Sequence, residues 1–164
     1  MYTIREGKKE DLKKVFELIQ ELALYERAPE QVTNTMEKME EDGFGPNPVY
    51  WFFVLLKEKT NEIIGTAIYY YRYSTWKGKR LYLEDYIVTE GERGQGAGKL
   101  LFEQVMKKTI EEKCTGMMWQ VLDWNDPAIN FYKKYNADIE SGWYNCHLQS
   151  REIKSMLEGK VMDS

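Results

Sequence analysis

The chain has 164 residues, of which 43% are hydrophobic, 30% charged and 14% aromatic. That size and mixture suit one globular domain spanning residues 1–164 and exclude a disordered tail. Twenty-three basic against 27 acidic side chains leave a formal charge of −4, which disfavours nucleic-acid backbones as partners and tolerates a cationic one. The longest apolar run, residues 49–56, falls far short of the roughly 20 needed to cross a bilayer, so no membrane association is expected. No basic and apolar leader opens the chain, and secretion is not expected. Only Cys114 and Cys146 occur, without a Cys-x-x-Cys pair, and His147 is the lone histidine. A disulfide scaffold or a metal site is therefore excluded, and a reducing cytoplasm is the expected location.

In chain order, residues 2–5 read as a short strand. Leu12, Val15, Phe16, Ile19, Leu22 and Ala23 then recur at steps of three and four, one face of an amphipathic helix. A weaker helix is expected over residues 33–42, stopped by the glycines and prolines of residues 43–48. Three runs rich in aromatic and β-branched residues follow, at 49–56, 63–73 and 80–88, with connections short enough for an antiparallel meander. A glycine-rich turn over residues 90–99 leads into a second amphipathic helix carrying Leu100, Leu101, Phe102, Val105, Met106 and Ile110. Residues 117–122 read as a strand. Pro127 suits the first turn of another helix, with Asn125 or Asp126 as its cap and Asn136 closing it in the left-handed conformation. A strand over residues 143–148 and a polar helix over residues 151–158 complete the pattern. The order predicts an α/β fold, a mixed sheet covered by helices.

The chemistry-bearing feature is strand, glycine-rich turn, helix. Gly94, Gly96 and Gly98 remove side chains where a helix begins, so N–H groups and the positive helix end can meet a phosphate or pyrophosphate. A Walker A loop is excluded, because Arg93 stands where its first glycine belongs and Leu100 follows Lys99. A dinucleotide fingerprint is excluded too, since Lys99 falls on its last glycine and the turn follows a meander. Arg93-Gly94-Gln95-Gly96-Ala97-Gly98 fits a third pattern, Arg/Gln-x-x-Gly-x-Gly/Ala. Downstream stands Asn125-Asp126-Pro127-Ala128-Ile129-Asn130-Phe131-Tyr132. In both blocks, their order and their spacing, the sequence resembles the GNAT acetyltransferases.

Four blocks narrow the resemblance to the diamine (spermidine/spermine) and thialysine acetyltransferases: Glu21 to Glu26, Glu41 to Gly45, Leu81 to Asp85, and Trp124 to Lys133. That likeness implies a GNAT fold, a homodimer, acetyl-CoA as acetyl donor and a small amine as acceptor. Alkylammonium groups have a pKa near 10, and Glu84 occupies the family's position for the base that deprotonates one. Tyr132 matches the acid that protonates the departing thiolate. The resemblance gives coenzyme contacts to the strand edge Tyr86, Ile87 and Val88, where an N–H stabilises the oxyanion. It gives others to the loop residues Arg93, Gly94, Gln95, Gly96, Ala97, Gly98 and Lys99, and to Asn125, Asp126, Pro127 and Ala128. Tyr25, Glu26, Glu84, Asp85 and Trp76 are implied around the amine.

The residues alone leave alternatives open. Glu84 and Asp85 are neighbours, and in a regular strand they point to opposite faces, so one could simply be solvated. Tyr132 beside Phe131 could be a core aromatic. Tyr69 to Tyr73 read as sheet packing and dimer surface. Ser74 stands where the polyamine enzymes carry an aspartate, and the loop before Gly142 is shorter and less acidic than theirs, which weakens the case for spermine. Tyr135-Asn136 replaces the usual Arg-Gly. The expected activity is acetyl transfer to a small polyamine, diamine or thialysine-like amine. A non-catalytic acyl-CoA sensor of the same fold is the alternative, and N-acetylation of proteins or peptides a third reading.

Overall fold

The computed structural model describes residues 1–159. The elements are β1 (Tyr2–Glu6), α1 (Leu12–Tyr25), α2 (Met36–Phe44), β2 (Trp51–Lys57), β3 (Glu62–Ser74), β4 (Gly78–Val88), α3 (Ala97–Glu111), β5 (Gly116–Trp119), α4 (Asp126–Lys133) and α5 (Ser150–Leu157). Short 3₁₀ turns at Lys9–Asp11, Pro29–Gln31 and Glu90–Glu92 join some of them. Two compact units emerge, residues 1–123 and the residues from Trp124 onward.

The first unit is a five-stranded sheet in the order β1-β2-β3-β4-β5. Its first four strands form an antiparallel meander, and α3 carries the chain across so that β5 runs parallel to β4. On one face, Leu12 and Val15 of α1 and Met39 of α2 pack against Phe52, Val54, Leu56 and Ile68. Burying each aliphatic side chain contributes about 1.5–3 kcal/mol, which is what holds a charged helix such as α1 to the sheet. On the other face lie Leu101, Phe102 and Val105 of α3, all buried. Ile110, expected on that face, is instead exposed.

Local chemistry sets the ends. Asp11 accepts two hydrogen bonds from the Arg5 guanidinium, at 2.7 and 3.0 Å, and one from the Lys8 backbone at 2.7 Å, fixing where α1 starts. α2 begins later than residue 33 because the Thr35 hydroxyl accepts the Lys38 N–H. It runs through Gly43 and ends at Gly45. β5 is shorter than residues 117–122, since a strand persists only while it has a neighbour and its pairing with β4 stops at Trp119.

In the second unit, the Asn125 side chain caps α4 by accepting the Ala128 N–H, and Pro127 occupies the first turn. Asn136 has φ +56°, the left-handed closure expected there. The strand expected over residues 143–148 does not form; that stretch is irregular, with Trp143 and Tyr144 exposed. Among the described residues no strand pairs with it, and apolar residues without a ladder do not make a strand.

Candidate functional site

The site follows from where the β4 ladder stops. β5 accompanies β4 only from Arg80 to Leu83. From Asp85 to Val88, β4 stays bonded to β3 on one side while no strand of the sheet flanks the other. Backbone groups along that edge are therefore available to something other than a strand.

At the same point the strand carries a bulge. Leu83 stands opposite Tyr69 and Asp85 opposite the adjacent Ile68, so Glu84 is an extra residue on β4. Tyr69 stacks on Phe53, on the α3 side, and Ile68 belongs to the core beneath α1 and α2. Glu84, next after Leu83, and Asp85, opposite Ile68, consequently share the α1–α2 side. This overturns the expectation of opposite faces: the inserted residue breaks the alternation on which it rested.

The same face collects acid and aromatic groups. Tyr70 and Tyr82 lie opposite each other with ring centroids 5.3 Å apart, and Arg72 sits 5.8 Å from the Tyr82 ring centroid. Burial, and then the charge of Glu84, raises the pKa of both tyrosines. Burial also raises those of Glu84 and Glu26. Asp85 is pushed up to about 7 by burial, then by the charges of Glu84 and Glu26. Among the described residues, none of these three carboxylates forms an ion pair. The sequence reading missed Tyr70 and Tyr82 here; their signal was position, since Tyr82 lies two residues before Glu84 on a strand.

The glycine turn lies beyond the same strand end. Gly94 and Gly96 have φ of +79° and +83°, and a Cβ at either would meet nothing within 4 Å. The turn thus presents bare backbone on an open side, immediately before α3. The first N–H groups of that helix have no carbonyl a turn earlier to bond. Gly98 is different: a Cβ there would come within 2.9 Å of the Tyr86 Oη, whose hydroxyl donates to the Gly98 carbonyl. Tyr86 lies opposite Ala67 and its ring contacts Phe102, which puts it on the α3 side. A bare, concave turn at a helix N-terminus fits the pyrophosphate of a coenzyme. Ala97 is buried and Lys99 exposed, 3.9 Å from Glu103. The Gln95 side chain accepts from Tyr2 Oη at 3.1 Å.

Arg93 turns back toward the protein. Its Nε donates to the Val88 carbonyl at 2.8 Å, one Nη lies 3.8 Å from Glu21, and its guanidinium covers the Tyr25 ring at 5.3 Å. Tyr25 and Glu26, at the end of α1, thus come to the β4 end. Trp76 does not: it is 85% exposed at the tip of the β3–β4 hairpin, beyond Gly78 and so at least roughly 20 Å of strand from Glu84. In the second unit, Asp126, Pro127 and Ala128 form the first turn of α4, and Tyr132 lies buried near its end with its ring against Phe131.

A cavity of about 370 Å³ lined by Trp51, Tyr69 and Tyr71 belongs to the opposite end of the sheet, since Tyr71 pairs with Leu81. Among the described residues no cluster of histidine, cysteine, aspartate and glutamate could hold a metal ion, and no helix is long and apolar enough to cross a membrane.

Residues 12–137 match the Acetyltransferase (GNAT) family. The chain belongs to the GNAT acetyltransferase family. It is 36% identical to a thialysine N-epsilon-acetyltransferase of Bos taurus, covering 96% of this chain and 97% of that one. A spermidine/spermine N(1)-acetyltransferase-like protein 1 of Homo sapiens is 32% identical over 94% of this chain and 24% of its own. Among solved structures, an aminoglycoside acetyltransferase from an uncultured soil metagenomic sample superposes with a TM-score of 0.74 at 20% identity, covering 90% of this chain and 97% of that one. This GNAT chain is an acetyl-CoA-dependent N-acetyltransferase.

Two outcomes test the site. Gly96→Val introduces a β-branched side chain at φ +83° on the open face of the turn. Coenzyme A affinity measured by calorimetry should fall at least about ten-fold in the folded variant, with the left-handed strain lowering its melting temperature as well; unchanged affinity would remove the turn from the site. Asp85→Asn tests the electrostatics. A carboxyl whose folded pKa is raised to about 7 favours the folded state at low pH, and that contribution is lost as pH rises from the unfolded value through the folded one. Denaturant titration should show Asp85→Asn gaining on the parent across that window, by on the order of 2 kcal/mol at pH 8, and no difference near pH 3.

Proposed function

We propose that the acceptor is a primary amine of a small polyamine, diamine or thialysine-like substrate. The observation that carries this reading is the set of three carboxylates, Glu26, Glu84 and Asp85, with raised pKa values and, among the described residues, no ion pair, Glu84 lying near Tyr70 and Tyr82. Gathering like charges without a counter-ion is costly, and an alkylammonium supplies the missing charge. Tyrosine faces add a cation–π contribution. The relatives named for thialysine and for spermidine/spermine fit such a substrate.

In this reading Glu84 takes the proton of the bound ammonium, directly or through a water. Asp85, pushed up to about 7, is a group able to hold a proton near neutral pH. A carboxylate of raised pKa is better matched to an ammonium near pH 10 than an ordinary one. Acetyl-CoA, when bound, supplies the thioester carbonyl that the neutral amine attacks. Gly94, Gln95, Gly96, Ala97, Gly98 and Lys99 hold its pyrophosphate. Backbone groups of Tyr86, Ile87 and Val88 line the pantetheine and stabilise the oxyanion, and Asn125, with Asp126, Pro127 and Ala128, contributes from the α4 turn. Tyr132 donates the proton to the thiolate. Arg93, whose side chain bonds Val88 and lies near Glu21, braces the start of the glycine loop. Trp76 reaches an amine only if a second chain brings it there, in keeping with the homodimer the resemblance implies. Free Cys114 and Cys146 accord with a reducing cytoplasm as the working location.

The experiment is coenzyme A release with spermine, spermidine, putrescine, lysine, thialysine and a lysine peptide, run alongside Glu84→Gln and Tyr132→Phe. Turnover on the small amines is expected, with each variant losing about 10²-fold or more in kcat while coenzyme A affinity holds. Turnover of the peptide alone would overturn the small-amine reading, and near-normal kcat in either variant would remove that residue from proton transfer. Tight acetyl-CoA binding with no turnover on any amine would favour the non-catalytic sensor.

A further inference from the structure

We propose that Glu21 is a positioning residue that couples the coenzyme loop to the amine side of the site. This rests on the reading above, in which the end of α1 faces the amine and the glycine turn holds the coenzyme. Glu21 lies in the last turn of α1, one helical turn before Tyr25. Its carboxylate accepts the Thr89 hydroxyl at 3.0 and 3.1 Å and the Glu90 backbone N–H at 3.0 Å, and it lies 3.8 Å from Arg93 Nη2. Thr89 is itself tied to β3 through its N–H to the Ile64 carbonyl at 2.8 Å. Arg93 closes the circuit, donating to Val88 and covering Tyr25.

One carboxylate thus gathers the strand end, the 3₁₀ turn Glu90–Glu92 and the first residue of the glycine loop onto the helix that carries Tyr25 and Glu26. Gly94 and Gly96 have left-handed backbone and bare surroundings, so where Arg93 is held helps to set their position, together with the Tyr2 hydrogen bond to Gln95. A coenzyme that orders the loop acts through Arg93 and Glu21 on the end of α1. An amine that orders Tyr25 and Glu26 acts in reverse, because coupling between two binding sites is reciprocal.

Glu21→Gln keeps the shape and loses the charge that Arg93 faces. Arg93→Lys keeps a charge but loses the planar fork that reaches Val88 and Glu21 together. The Kd for coenzyme A, and the KM values for acetyl-CoA and for thialysine and spermidine, would be measured for the parent, both single variants and the double variant. In Glu21→Gln, coenzyme Kd and amine KM should both rise, by about five- to thirty-fold, and by more than kcat falls. The double variant should lose no more than the worse single, the signature of one shared interaction. Glu21→Asp should recover part of the loss.

If only the coenzyme constant moves, or neither does, the coupling is wrong while the site stands. Additive losses in the double variant would likewise overturn it, as separate roles for the two residues predict. A parent protein that takes neither amine yet binds coenzyme A overturns the amine reading, and this proposal with it. Gly96→Val with unchanged coenzyme affinity overturns the loop reading in the same way.

Discussion

At Glu84 the β3–β4 ladder takes in one residue more on β4 than on β3, and just there β5 stops following β4. The two irregularities act together. The end of β5 leaves an edge of β4 without a strand, and the bulge turns two consecutive carboxylates to the same side. Had β4 stayed regular, one acid would have pointed toward Phe102 and the α3 core, where an unpaired charge is costly. Had β5 continued, the backbone of Tyr86, Ile87 and Val88 would be spent on a ladder.

Beyond the bulge, β4 resumes its alternation and divides charge between its faces. Asp85 lies toward α1 and α2, where burial, and then the charges of Glu84 and Glu26, raise its pKa. Tyr86 lies toward α3, where it bonds the carbonyl of Gly98 at the positive start of that helix. An anionic coenzyme and a cationic amine would be drawn to opposite sides of one strand, with the strand edge between them. That separation keeps the acid cluster away from the pyrophosphate, which like charges would otherwise repel.

The parts of this arrangement legible in the sequence were those set by short-range chemistry. The spacing of Leu12, Val15 and Ile19 marked α1, the aromatic runs marked three strands, and Asn125 with Pro127 marked a helix start. Arg93 to Gly98 marked the turn before α3 by composition alone. What was hidden depended on partners distant in sequence. Residues 143–148 have strand-like composition but no ladder to join. The mutual orientation of Glu84 and Asp85 depends on how β3 registers against them, and nothing in their own neighbourhood reports a bulge. Tyr70 and Tyr82 were hidden in a tyrosine-rich stretch for the same reason. The loop pattern specifies the place of Arg93 but not the direction of its side chain, which lies near Glu21 on a distant helix.

On the proposed reading, the acid cluster also bears on how an amine would enter and leave. A carboxyl raised to about 7 is partly protonated at neutral pH, so without a cation the group relieves its own repulsion by holding a proton. An arriving ammonium displaces that proton and restores the carboxylate. An acetylated nitrogen carries no charge, so on that reading the product of a diamine or polyamine would bring one ammonium fewer to the cluster and be held less strongly than the substrate. Among the described residues no arginine or lysine pairs with these carboxylates, and the Arg72 and Arg93 guanidiniums are instead placed over tyrosine rings.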